Sequence, residues 1–294
     1  MPSAMILAAG LGTRLRPLTE LVPKPLVPIG DRPMLAHVAE RLREAGCAPI
    51  VANAFHHAPA VERFCAAESL CVSNEDALLG TAGGIAHAAA LLGEGDVVVH
   101  NGDVLVSVDL GGLLATHRAR GAAATLAVVP RAAGEGNVGV DAHGEVVRLR
   151  GETFAPGEAS GGEFTGVHVL APAMRAALPA AGCVVGDAYM PALRGKTAHL
   201  YMHPARNFVD VGSLAGYLRA NLEWLASMGL RTYVGDGASI EGAVRLDASV
   251  VGAGARVTGE GALTRCVVWP GATATAPLED AIVTSAGVTR QSPQ

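Results

Sequence analysis

Residues Met5–Gly30 read MILAAGLGTRLRPLTELVPKPLVPIG. The run Ala4–Ala9 is short, apolar throughout and without alternation, which suits a strand covered on both faces, as in a parallel sheet. Gly10 and Gly12 come directly after it. A glycine loop in that place lets backbone N–H groups approach a phosphate closely. Arg14, Arg16 and Lys24 stand beside the loop. The pattern is not a dinucleotide-binding fingerprint, because Thr-Arg-Leu follows the second glycine. Nor is it a Walker loop, because no Gly-Lys-Ser/Thr follows. The stretch therefore poses a question of chemistry: what needs these cations beside a glycine turn?

The chain has 294 residues, half of them apolar. That is room for one large domain or two ordinary ones with a sizeable core. A net charge of −5 argues against a nucleic-acid partner, which favours a basic surface. An anion site must then be local. Cys47, Cys65, Cys71, Cys183 and Cys266 are scattered with no CxxC pair, and read as reduced, buried thiols. No charged-then-apolar leader pattern opens the chain and no run is long enough to span a membrane. A soluble, cytoplasmic protein with no membrane partner is expected.

Outward from the first strand, helical spacing covers Pro33–Ala45 and stops at Gly46. Pro49–Ala54 reads as a strand, Thr81–Leu92 as a helix, and Asp96–His100 as a second buried strand running into Asn-Gly-Asp. Leu110–Arg120 is helical and Ala123–Val129 a strand. This alternation predicts a doubly wound, Rossmann-like α/β domain. VGVDAHGEVVRL at 138–149 breaks the rhythm with a hairpin about Ala142–Gly144. A strand at Glu163–Leu170 and an amphipathic helix at Ser213–Ala226 follow. His56 and His57 are adjacent, so no regular element points both at one metal, and they read as a loop. Met5 and Met34 read as core filling.

After about Gly229 the texture changes. Ile240, Leu246, Val251, Val257, Leu263 and Val268 recur every five or six residues, with glycines and small residues between. A helix does not repeat this way, and a disordered tail would not keep the period. One inward aliphatic per hexad fits a short left-handed parallel β-helix. The expected division is 1–228 and 229–294.

AAGLGTRLRPLT, a short spacer and then PKPLVPIGDRPML closely resemble the signature of the sugar-1-phosphate nucleotidylyltransferases. LGTAGGI at 79–85, NGDVL at 101–105 and FVDVGSLAGYLRAN at 208–221 extend the likeness in the family's order. The resemblance implies transfer of a nucleotidyl group from an NTP to a sugar 1-phosphate. It implies that Arg14 holds the leaving pyrophosphate and Lys24 bridges the reacting phosphates. Leu7, Ala9, Gly10, Gly12, Thr13, Glu75, Gly80 and Thr81 are then the nucleotide-binding positions. Asp103 and Asp210 hold Mg²⁺, against the alternatives of a turn residue and a helix cap. Gly139, Glu163, Thr165 and Gly166 are candidates for the sugar phosphate. Many relatives carry a lysine in an EKP motif after the hairpin for that phosphate. The matching stretch here is RLRGET, which leaves Arg148 or Arg150 as substitutes.

The chemistry accounts for these residue types. A sugar-phosphate oxygen attacks the α-phosphorus and pyrophosphate leaves in line. The nucleophile is already an anion, so catalysis reduces to positioning and neutralising phosphoryl charge. Arginine pairs with several oxygens through its fork, and lysine acts as a point charge. Glu75 is acceptor-only and matches two N–H donors on guanine's edge, which points to GTP with mannose 1-phosphate or a related sugar. Relatives that bind uracil or thymine leave UTP or dTTP open. A non-catalytic subunit of the same fold would be marked by loss of Arg14, Lys24, Asp103 or Asp210, and all are present. An acyltransferase role for the tail is disfavoured, since no histidine follows His203. The tail is expected to serve packing and homo-oligomerisation.

Overall fold

The computed structural model describes residues 1–290. The chain forms two compact units: Met1–Gly10 with Leu35–Phe208, and Leu11–Met34 with the residues from Val209 onward.

In the first unit the Ser3–Leu7 strand is almost wholly buried. It pairs in parallel with Ile50–Ala54 on one side, Ala4 opposite Ile50, and with Val97–Asn101 on the other, Met5 opposite Val99. Cys71–Asn74 extends the parallel set beyond Ile50–Ala54. Covered faces on both sides explain why these strands show apolar runs rather than alternation. Beyond Val97–Asn101 the sheet turns antiparallel. Ser160–Leu170 pairs there with Val167 opposite His100, and its start pairs with Val138–Val140. Val138–Val140 and Val146–Leu149 form the expected hairpin. The alternating α/β pattern therefore yields a mixed sheet. The strand expected at Glu163–Leu170 is present within Ser160–Leu170 and carries the antiparallel half, a pairing direction that the sequence did not mark.

Helices Met34–Glu44, Ala58–Ala67, Gly80–His87 and Leu110–Arg120 connect these strands. The last shows its signals plainly. The Asp109 side chain accepts the Gly112 N–H at 3.0 Å, and Gly121 ends the helix in the left-handed conformation. The core gathers Met5, Val51, Ile85, Val99, Leu126 and Tyr189. Among the described residues, no helix is long and apolar enough to cross a membrane.

In the second unit, helix Leu214–Ser227 is capped by Ser213, whose Oγ accepts the Gly216 N–H at 3.1 Å. After it the chain winds into stacked parallel coils. Tyr233, Val250, Val267 and Ile282 form one column. Leu246, Leu263 and Leu278 form another. Val251, Val257, Leu263 and Val268 are buried, as their spacing requires, whereas Ile240 in the first coil stays exposed. The antiparallel pairing of Ala281–Thr284 with Gly287–Arg290 follows the last parallel rung.

Candidate functional site

A cleft of about 250 Å³ opens at the carboxyl ends of the parallel strands, where open α/β sheets bind ligands. Leu7, Ala9 and Gly10 line it from the first strand and Asn53 from the second. Glu75, Leu78, Gly80 and Thr81 follow the edge strand, and Asn101 and Asp103 end the Val97–Asn101 side. The structure thus brings together six of the expected nucleotide positions and one expected metal ligand.

Two buried side chains tie the walls of this cleft. Asn53 Oδ1 accepts the Ala8 N–H at 2.6 Å and the Ala9 N–H at 3.2 Å. Its Nδ2 donates to Glu75 Oε1 at 2.6 Å, and the Leu79 N–H donates to Glu75 Oε2 at 3.1 Å. Glu75 is 6% exposed and is not a solvated loop carboxylate. Each of its oxygens already accepts one protein donor and keeps a second acceptor site. Sequence reasoning missed Asn53. Its one signal was a polar residue inside the apolar strand IVANA.

Gly80 and Thr81 prove to be shared with a neighbouring loop. Gly80 has a positive φ of 73°, and a Cβ there would lie 2.5 Å from the Gly182 carbonyl oxygen. Thr81 Oγ1 accepts the Val184 N–H at 2.8 Å. These residues hold the 182–184 backbone as well as facing the cleft. His100, behind Asp103, is fully buried, and desolvation pushes its imidazole down to about 4. It is neutral at pH 7 and donates no charge to the site.

In the second unit, Gly12 adopts φ 65°, and a Cβ there would meet Thr19 Cγ2 at 2.8 Å. Only glycine allows this tight turn without strain. Thr19 Oγ1 donates to the Gly12 carbonyl at 2.9 Å and closes it. Thr13–Leu15 then form one short turn in which Leu15 is buried. Arg14 points outward with its side chain 69% exposed and Nη2 3.8 Å from Asp210 Oδ2. Asp210 Oδ1 accepts the Gly212 N–H at 2.7 Å. Ser213 caps the following helix, so the cap role considered for Asp210 belongs to Ser213. Lys24 is buried at 8% and is not a solvated surface cation. Among the described residues, no cluster of three or more His, Cys, Asp or Glu side chains could hold a metal by itself.

The sugar-phosphate candidates are dispersed. Glu163 Oε1 accepts from Asn137 Nδ2 at 2.6 Å. Thr165 is 1% exposed, and its hydroxyl donates to the Ala127 carbonyl at 2.9 Å. Gly166 faces the Asn101 side chain and Gly139 lies under the Glu158 carboxylate. None of these four lines the cleft. Arg148 is committed elsewhere. Nε and Nη2 donate to Glu158 at 2.8 and 2.9 Å, and Nη1 and Nη2 also reach the carbonyls of Gly136, Glu135 and Val138. Those bonds commit the guanidinium to the protein's own carboxylate and carbonyls. Arg150 is exposed and donates to Cys183 Sγ at 3.2 Å.

Residues 3–227 match the family model described as nucleotidyl transferase. A mannose-1-phosphate guanylyltransferase of Mycobacterium tuberculosis is 39% identical over 45% of this chain and 39% of its own length. An N-acetylmuramate alpha-1-phosphate uridylyltransferase of Caulobacter vibrioides is 44% identical over 34% of this chain and 45% of its own. The chain thus spans less than half the length of these two relatives. The crystal structure of HddC from Yersinia pseudotuberculosis complexed with GMP-PN superposes with a TM-score of 0.62 at 22% identity, covering 76% of this chain and 100% of that one. That likeness shows the fold. The match over most of the chain, in a fold that opens its cleft at the strands' carboxyl ends, makes the chain a member of the nucleotidyl transferase family.

Proposed function

We propose that this protein transfers a nucleotidyl group from an NTP to a sugar 1-phosphate, releasing pyrophosphate and an NDP-sugar. One observation carries the reading. The carboxyl-end cleft is lined by Leu7, Ala9, Gly10, Glu75, Gly80, Thr81 and Asp103, the residues that the opening motif and its downstream partners single out. In this reading the cleft takes the base and ribose. Arg14, exposed and only loosely engaged, pairs with the leaving pyrophosphate, and Lys24 neutralises charge at the α-phosphate. The nucleophile needs no general base, since the sugar phosphate is already ionised near pH 7.

Asp103 and Asp210 are hard oxygen donors of the kind Mg²⁺ takes. Asp210 keeps Oδ2 free of backbone donors while Oδ1 is fixed by Gly212. Bound there, Mg²⁺ would neutralise phosphate charge as a Lewis acid. The coiled tail is read as a left-handed β-helix in a domain of residues 229–294, after a catalytic domain of 1–228.

For the base we favour guanine. Glu75 is buried at the cleft wall with one acceptor site left on each oxygen, which suits the paired N–H donors of a guanine edge. Mannose 1-phosphate or a related sugar is the acceptor favoured with it. The test is a matrix of the four NTPs against several sugar 1-phosphates, reading pyrophosphate. Release confined to GTP with mannose 1-phosphate or a close relative supports the reading. Release with UTP or dTTP instead rejects guanine alone, and no release in any well rejects the activity.

A further inference from the structure

Trp269 lies on the coiled tail and is buried, its main chain fixed by bonds from its N–H to the Val283 carbonyl and from the Ala272 N–H to its own carbonyl. Its Nε1 donates to the Tyr217 hydroxyl at 2.9 Å, and that hydroxyl donates to the Pro28 carbonyl at 2.6 Å. Asn221, one helical turn after Tyr217, repeats the arrangement. Its Nδ2 donates to the Tyr217 carbonyl at 3.0 Å, and its Oδ1 accepts the Gly30 N–H at 2.9 Å. An indole, a phenol and an amide thus converge on the main chain either side of Ile29.

That main chain leads straight back to Lys24. Lys24–Leu26 form one tight turn, closed by the Val27 N–H on the Lys24 carbonyl at 3.2 Å. The Met34 N–H holds the Val27 carbonyl at 3.0 Å, and Pro28–Ile29 pairs with Arg32–Pro33. Packing alone would be served by Phe and Leu, with no buried donor to satisfy. A fully paired polar network instead selects one arrangement of the groups it joins. Arrangement matters most for a charge that must meet a reacting phosphate, since misplacement of about 1 Å can cost a hundredfold.

We propose that Trp269, through Tyr217, is a positioning residue for Lys24, so that the coiled tail takes part in triphosphate chemistry and does not only pack. The proposal rests on the nucleotidylyl-transfer reading and deepens it. It also adds to the expectation that the tail serves packing and homo-oligomerisation, because Trp269 lies on that tail.

The test is a double-mutant cycle on the full chain, read as single-turnover pyrophosphate release with melting curves alongside. Trp269→Phe removes the indole donor and keeps a ring. It should lower the rate about tenfold while the KM for sugar 1-phosphate stays unchanged. In a Lys24→Ala background the same substitution should change the residual rate less than about twofold, because coupled residues are not additive. Tyr217→Phe should repeat both results and serves if Trp269→Phe does not fold. Equal losses in both backgrounds, or wild-type rates in Trp269→Phe, overturn the proposal. A wild-type protein that releases no pyrophosphate with any NTP overturns the functional reading instead.

Discussion

Two arginine–carboxylate pairs in this molecule have opposite characters. Arg148 and Glu158 are mostly buried, with side chains 11% and 19% exposed, and meet through two short bonds. Arg14 and Asp210 are 69% and 46% exposed and stand 3.8 Å apart. Arg148 holds Glu158 down to about 2, with help from the Gly134 N–H. The first pair has spent its donors on the protein. The second has kept them, and a pair in water contributes only about 0–1 kcal/mol to stability. Burial and close bonding distinguish the first pair from the second.

The largest effect that follows is on stability. Arg148→Ala strands the Glu158 carboxylate and three carbonyls, and should lower the unfolding free energy by about 3 kcal/mol. Urea unfolding measures it. A loss below about 1 kcal/mol would make this pair no different from a surface one.

Next comes Asp103→Asn, where charge rather than structure is removed. Pyrophosphate release should fall about a hundredfold or more, equivalent to about 2.7 kcal/mol, with unfolding unchanged. Near-normal turnover at ordinary Mg²⁺ would reject a metal role for Asp103.

Acid sharpens the contrast further. The Arg148–Glu158 pair persists until Glu158 protonates near 2, so acid weakening at milder pH must come from elsewhere. His168 is fully buried, and desolvation pushes it down to about 3. Neither of its ring nitrogens has a protein hydrogen-bond partner. Its folded value lies below its unfolded one, so stability is full above about 6.5 and drains as pH falls toward 3. At pH 5 the loss from this one residue is about 2 kcal/mol. His100 adds to the same slope. His168→Phe should flatten the dependence of unfolding free energy between pH 7 and 5, and an unchanged slope would mean His168 is not the sensor.

Much of this was readable before the fold was known. Ala4–Ala9 announces a strand covered on both faces, and the hexad aliphatics announce the coils. Helix Leu110–Arg120 stands at the bounds that its spacing predicts. Pairing across long separations was not readable. Nothing in RLRGET distinguishes Arg148 from Arg150. Only the return of Glu158 and three carbonyls to one of them does so. The Asn53–Glu75 tie joins two strands and a loop. Likewise, the grouping of Leu11–Met34 with the residues from Val209 onward depends on partners such as Trp269 and Asn221, which no local pattern marks.

The most direct test is Arg14→Ala, assayed for pyrophosphate release and for melting in the same preparation. Release from NTP should fall by about tenfold or more, as loss of a charge-assisted contact to phosphate requires. Unfolding free energy should stay within about 1 kcal/mol of wild type. An Arg14→Ala protein that releases pyrophosphate at the wild-type rate would contradict the claim that this exposed arginine is kept for the triphosphate.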